Sequence, residues 1–407
     1  MKYILLVGDG MADYPIEEIG GKTPLQVANI PNLDYLAKNG AVGMIKTIPD
    51  GMPPGSDIAN LSVLGYDPKK YYSGRAPLEA ASMGIELKED EIAFRCNLVT
   101  IKGDILEDYS AGHISTIEAK ELIEFLDKKL GSDKVKFYPG VSYRHLMVLK
   151  QNTQTRGHRP EDKEHSLLTC TPPHDITGKP YDSHLPNGAD AGVIRELMFA
   201  SQGFLEEHEV NKKRMKENKN PANMIWLWGH GKPPKIPAFT QQFGLSGAVI
   251  SAVDLVKGTG KYAGLEIINV PGATGYLDTN FVGKAEYALE ALKNKDFVFV
   301  HVEAPDEAGH NGDLQAKIKA IEDFDSKTVG TIIKKLPTLL DKIRILALCD
   351  HPTPISLKTH TADEVPFIIF GYKIIPDEIL EYNEVVAKNS LLNFEKGYTL
   401  MNYFIRG

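Results

Sequence analysis

The chain has 407 residues, 42% of them hydrophobic, which allows two domains and a sizeable core. Its net charge of −8 excludes the basic stripe of a nucleic-acid-binding surface, though a local basic pocket for a small anion remains open. No run approaches the ~18 apolar residues of a membrane span, and neither a nucleic acid nor a membrane is expected as a partner.

Residues 3–7, YILLV, form a continuous apolar run suited to a strand buried on both faces. The run leads into a Gly-Asp-Gly turn that carries Asp9, with no charged and long apolar leader ahead of it. Ser56 lies in PPGSDIANLSVLG, just before an apolar-patterned segment that stops at Gly65. From about 90 to 245 the sequence becomes richer in polar residues, Pro and Gly. There Ser115 and Glu118 form a capping box for a helix through Leu122, Ile123 and Leu126 that stops at Gly131. The same region holds the polar stretch QNTQTRGHRPEDKEHS and the charged run 206–220, read as the exposed side of a helix or a loop.

Beyond it, residues 281–293 and 313–336 show helical spacing, and 297–302, 343–348 and 365–370 read as further buried strands. Strands alternating with helices predict an α/β fold with a mostly parallel sheet flanked by helices. A smaller α+β domain, residues 90–245, is expected as an insertion into a domain made of 1–89 and 246–407. Ligands of such sheets bind at the carboxyl ends of the strands. Three widely spaced cysteines, Cys96, Cys170 and Cys349, fit buried thiols in a reducing compartment, so a cytoplasmic location is expected.

The chemistry-bearing residues fall at those strand ends. Asp350 and His351 follow the run Ile343–Leu348, and His360 comes nine residues later. Asp306 and His310 occur in VHVEAPDEAGH, directly after the strand that begins at Phe297. Singly each has a plain structural reading. Asp9 could hold a turn, Ser56 could be a helix N-cap, Asp306 could cap the next segment, and Cys349 reads as core. Together, three aspartates, three histidines and a serine suggest a site for two divalent ions that clamp a phosphoryl group. A serine at a helix N-terminus also faces free N–H groups that favour a phosphate. Mixed oxygen and nitrogen donors suit manganese or zinc, whereas magnesium prefers oxygen.

GDGMADYP, PPGSDIANLSVLGYDP, EAPDEAGHNGD and CDHPTP…KTHTADEVPF resemble the cofactor-independent phosphoglycerate mutases, archaeal-type branch, of the alkaline phosphatase superfamily. The resemblance spans nearly the whole chain. It implies an alkaline-phosphatase-like metal domain carrying an inserted phosphotransferase domain. It further implies that Ser56 takes the phosphoryl group from one hydroxyl of glycerate and returns it to the other. One ion would be held by Asp9, Ser56, Asp350 and His351, and the other by Asp306, His310 and His360. Manganese is the expected metal, with zinc, cobalt and magnesium as alternatives, and a homo-oligomer is left open.

The implied substrate, phosphoglycerate, is an anion with a phosphate and a carboxylate. His113, in DYSAGHIS, resembles the family histidine that hydrogen-bonds it. Arg95 and Arg144 lie on apolar-flanked strands where a guanidinium could clamp a carboxylate. Lys257 is chosen as a lysine reaching the phosphate from the domain boundary, with Lys261 and Lys232 as competitors, and PPHDITGK around His174 and Asp175 has no assigned role.

Three other readings stand beside this one. A phosphatase would discharge the phosphoserine to water. A phosphotransferase to another alcohol, such as the homoserine kinase activity proposed for relatives of this branch, would use the same core. Its nearest nucleotide-loop text, GTGKY at 258–262, lacks the required spacing and hydroxyl. A metal-stabilised binding protein would not need Ser56.

Overall fold

The computed structural model describes residues 1–151, 168–188, 191–339 and 342–407, so the polar stretch beyond Gln151 lies outside the described residues. The strands in chain order are β1 (Lys2–Gly8), β2 (Gly40–Ile45), β3 (Glu91–Lys102), β4 (Ile105–Asp108), β5 (Val135–Val141), β6 (Arg144–Lys150) and β7 (Met224–Gly231). They continue with β8 (Gly247–Ile250), β9 (Glu266–Ile268), β10 (Phe297–Val302), β11 (Ile343–Leu348), β12 (Val365–Gly371) and β13 (Asn393–Phe394). The chain divides into two compact units, Met1–Tyr72 with Lys235–Gly407, and Ser73–Pro234. These limits differ from the expected 1–89, 90–245 and 246–407, because the helix Arg75–Ser82 packs on β3 and β7 of the second unit.

In the first unit an eight-stranded sheet runs in the order β13-β2-β12-β11-β1-β10-β8-β9. β9, β8, β10, β1 and β11 are mutually parallel, so the α/β expectation is borne out. β12 pairs antiparallel to both β11 and β2. β1, β10 and β11 occupy the middle, where both faces are covered. That explains runs such as ILLV, FVFVHV and IRILAL that do not alternate with polar residues. The helical stretch expected at 313–336 is Leu314–Asp323, a wider π-type segment Phe324–Val329, and Gly330–Leu339. Asp325 in the π segment accepts from Leu33 N at 2.7 Å and so caps the helix Pro31–Lys38.

In the second unit β3 is shared, pairing antiparallel with β6 and β7 along its length and with β4 at its end. The expected helix is Thr116–Leu130, with the Ser115–Glu118 capping box formed and Gly131 at its C-terminus. Leu122, Ile123 and Leu126 bury its inner face in a separate core with Trp226 and Met198. Part of the charged run is the helix Glu209–Lys216. Among the described residues no helix is long and apolar enough to cross a membrane.

Candidate active site

β1, β10 and β11 are adjacent and parallel, so their carboxyl ends lie side by side. Asp9 leaves β1, the helix Ala304–Asn311 with Asp306 and His310 leaves β10, and Asp350 and His351 leave β11. The chain between β11 and β12 adds His360. Gly10 turns the chain with φ +64°, and a Cβ there would sit 2.7 Å from the Asp306 Cα. Only glycine fits this turn.

Ser56 is the first residue of the helix Ser56–Val63, with Gly55 as its N-cap. The expected capping role is therefore not taken up. The hydroxyl faces the cluster instead, with Oγ 3.0 Å from His351 Nε2. One turn on, Asn60 Nδ2 donates to Ser56 O (2.9 Å) and to Asp350 Oδ2 (2.7 Å), tying the helix start to the β11 end.

The seven residues expected at the metal site converge. His310 and His360 bring their Nε2 atoms to 2.9 Å from each other, and each lies within 3.4 Å of an Asp306 carboxylate oxygen. His351 Nε2 approaches Asp9 Oδ1 at 3.4 Å. Ligand atoms of Asp306, His351 and His360, of Asp9, His301 and Asp350, and of Asp9, Glu303 and Asp306 form three groups, each lying within 4.8 Å of one another. Asp9 is buried, yet neither carboxylate oxygen has a hydrogen-bond partner. A buried carboxylate left unpaired is costly. This set of oxygen and nitrogen donors fits a divalent cation.

The electrostatics follow from crowding. Burial, then the neighbouring Asp350 and Asp306, pushes the Asp9 carboxyl well above its usual range. Burial opposes ionisation of Asp306 too, but hydrogen bonds from His310 and His360 outweigh it and hold its carboxyl well below the usual range. The Asp306 partner raises His310 to about 9. Burial raises Glu303 to about 8, helped by Asp306 and Glu307. Such displaced values in one cluster mark a functional site.

The sequence reading missed several contributors. Thr353 Oγ1 donates to Asp306 Oδ1 and lies 3.3 Å from His351 Nδ1. His301 Nε2 lies 3.1 Å from Asp9 Oδ2. Its signal was a polar residue inside the apolar run FVFVHV. Lys317 and Lys284 are both fully buried, on helix faces that read as apolar. Cys349 is buried in the core, as read, and burial pushes its thiol up.

The residues expected to hold substrate are distributed differently. Lys257 sits on the helix Asp254–Tyr262 of the first unit. His113, Arg95 and Arg144 belong to the second unit. Arg95 is not an open clamp, since its Nε is 3.1 Å from Glu79 and its guanidinium lies 4.1 Å over Trp228. His174 stands edge-on to Trp228 and to Tyr109, and Tyr109 meets Tyr143. Tyr143 in turn borders His113 and Arg144. Arg95, His174, His113 and Arg144 thus share one aromatic seam. His113 is exposed at φ 50°, in a loop whose Ser110 and Gly112 N–H groups donate to the Asp108 carboxylate. Buried Arg214 donates to Ala111 O and to Glu118. One residue of the run read as solvated therefore holds this loop.

The sequence model of the 2,3-bisphosphoglycerate-independent phosphoglycerate mutase family matches residues 37–211. A Methanosarcina acetivorans protein named 2,3-bisphosphoglycerate-independent phosphoglycerate mutase is 54% identical over 407 residues, covering all of both chains. The chain belongs to this mutase family. It is an enzyme of the isomerase class. Among solved structures, a Pyrococcus horikoshii protein aligns with a TM-score of 0.81 at 31% identity, over 99% of this chain and 97% of its own. The cofactor-independent phosphoglycerate mutase of Thermoplasma acidophilum aligns with a TM-score of 0.65 at 26% identity, over 99% and 98%.

Proposed function

We propose that the chain interconverts 3-phosphoglycerate and 2-phosphoglycerate without 2,3-bisphosphoglycerate, carrying the phosphoryl group on Ser56 between the two hydroxyls. The observation that carries this reading is the Ser56 hydroxyl at a helix start, 3.0 Å from His351 in a cluster of buried carboxylates and imidazoles. In the first half-reaction Ser56 gives up its hydroxyl proton, the bond from phosphorus to Ser56 Oγ forms, the bond from phosphorus to the substrate's O3 breaks, and O3 takes up a proton. In the second, O2 loses its proton, its bond to phosphorus forms, the bond from phosphorus to Ser56 Oγ breaks, and Oγ takes up a proton. The N–H groups at the helix start favour the transferring phosphate, and Asn60 fixes Ser56 against Asp350.

Two divalent ions, manganese first with zinc, cobalt or magnesium as alternatives, would be held by Asp9, Ser56, Asp350 and His351, and by Asp306, His310 and His360. When bound they supply alkoxide stabilisation and charge neutralisation. His113, Arg95, Arg144 and Lys257 are assigned to substrate. The three cysteines are free, which supports work in a reducing cytoplasm.

The test is purified protein with 3-phosphoglycerate and manganese, without bisphosphoglycerate or ATP, followed by phosphorus NMR. Appearance of 2-phosphoglycerate is expected. Inorganic phosphate as the main product would assign a phosphatase instead, and an unchanged spectrum would overturn the reading.

A further inference from the structure

His301 is the one histidine of the cluster that the two expected ligand sets leave out. It is the fifth residue of β10, in register with Val7 on β1, two residues before Asp9. Its side chain is fully buried. Three contacts fix it. Nδ1 lies 3.4 Å from the hydroxyl of Ser251, just after β8, and the ring stands edge-on to Phe299. Lys284, on the helix Phe281–Ala291, donates to the His301 carbonyl at 3.1 Å.

The remaining ring nitrogen points into the cluster and is unsatisfied. Nε2 is 3.1 Å from Asp9 Oδ2, yet neither atom makes a hydrogen bond. At that separation the failure is one of direction. The two atoms lie side by side and do not face each other as donor and acceptor. Buried polar groups without partners are rare and call for an explanation. Two lone-pair atoms side by side, with an Asp350 oxygen within 4.8 Å of both, converge as ligands of one cation do. A ligating imidazole also directs its other N–H at an acceptor, and the Ser251 hydroxyl stands on that side.

We infer that His301 Nε2 is a protein ligand of the divalent ion on the Asp9 side, forming its coordination group with Asp9 and Asp350. His351 stays in the same set, its Nε2 3.0 Å from the Ser56 hydroxyl and 3.4 Å from Asp9 Oδ1. This assignment rests on the two-ion reading above and adds one protein ligand to its Asp9-side set.

The test is titration of metal-free protein with manganese, followed by calorimetry and by electron paramagnetic resonance, for wild type, His301→Ala and His301→Gln. Thermal melting of the metal-free forms checks folding, and the glutamine variant keeps a polar side chain should alanine fail to fold. The expected result is two sites in wild type, with one weakened about 10–100-fold or more in the variants and the other unchanged. Pulsed resonance should also lose one imidazole nitrogen coupling. Wild-type affinity at both sites in a folded variant overturns the assignment alone. A wild-type protein that binds no divalent ion overturns both the assignment and the two-ion reading.

Discussion

Lys317 offers a sharp test of how the site is held. It is fully buried, and its ammonium lies 2.7 Å from Asp13 Oδ2, 2.8 Å from Thr353 O and 3.2 Å from Ala12 O. One cation therefore joins the loop after β1, which carries Asp9, to the segment after β11, which carries Asp350 and His351. Lys317→Met removes the cation and strands the Asp13 carboxylate. Breaking one side of a buried pair costs about 3–5 kcal/mol, a large share of the roughly 5–15 kcal/mol typical of a folded domain. Adding Asp13→Asn removes the stranded charge, and its single amide oxygen keeps an acceptor for one of the two N–H groups, Tyr14 and Ile355, that the carboxylate serves. The double variant should recover on the order of 1–3 kcal/mol, the size of coupling between contacting residues. Urea denaturation of the metal-free proteins measures both. A single variant within about 1 kcal/mol of wild type, or a double variant no better than the single, would refute the ion pair as the tie between the loops.

Other outcomes follow from the same structure. Burial pushes His145 down to about 3, so the folded protein keeps it neutral while the unfolded chain protonates it near 6.5. Its folded value is the lower one, so stability is fully present above pH ~6.5 and is lost as pH falls towards 3. By pH 4 the loss is on the order of 3 kcal/mol, and His145→Gln should flatten that slope in denaturation midpoints. Arg214→Met should cost about 2–3 kcal/mol and speed hydrogen exchange at Ser110–His113, where unchanged exchange would deny Arg214 its hold on the loop. Chelation should stop the interconversion of phosphoglycerates and manganese should restore it, while activity surviving exhaustive metal removal would contradict the two-ion reading.

Much of the fold was legible because the central strands carry an unmistakable signal. Ile4–Val7 and Ile345–Leu348 are continuous apolar runs because both sheet faces are covered. The strand-end aspartates and histidines were legible by placement, since each follows such a run. Other features depend on partners distant in sequence. Lys317 sits three residues after Leu314 on the buried face, while nearby Ile318 is only partly buried. Nothing local says that a lysine is paid for there by Asp13. Ser56 looked like a cap because the helix start was visible and Gly55 as the true N-cap was not. Arg214 was lost among neighbouring charges, because its burial depends on carbonyls contributed by Ala111 and Asn220. The unit limits were misplaced because the helix Arg75–Ser82 precedes the change in composition yet packs beyond it.

The central claim is that Ser56 itself carries the phosphoryl group. Its most direct test is acid quenching of manganese-loaded enzyme turning over 3-phosphoglycerate, followed by peptide mass spectrometry. The account predicts one added phosphoryl group on the peptide containing Ser56, absent from a folded, metal-binding Ser56→Ala variant that has lost interconversion. Turnover by that variant, or a phosphoryl group trapped on a different residue, would contradict it.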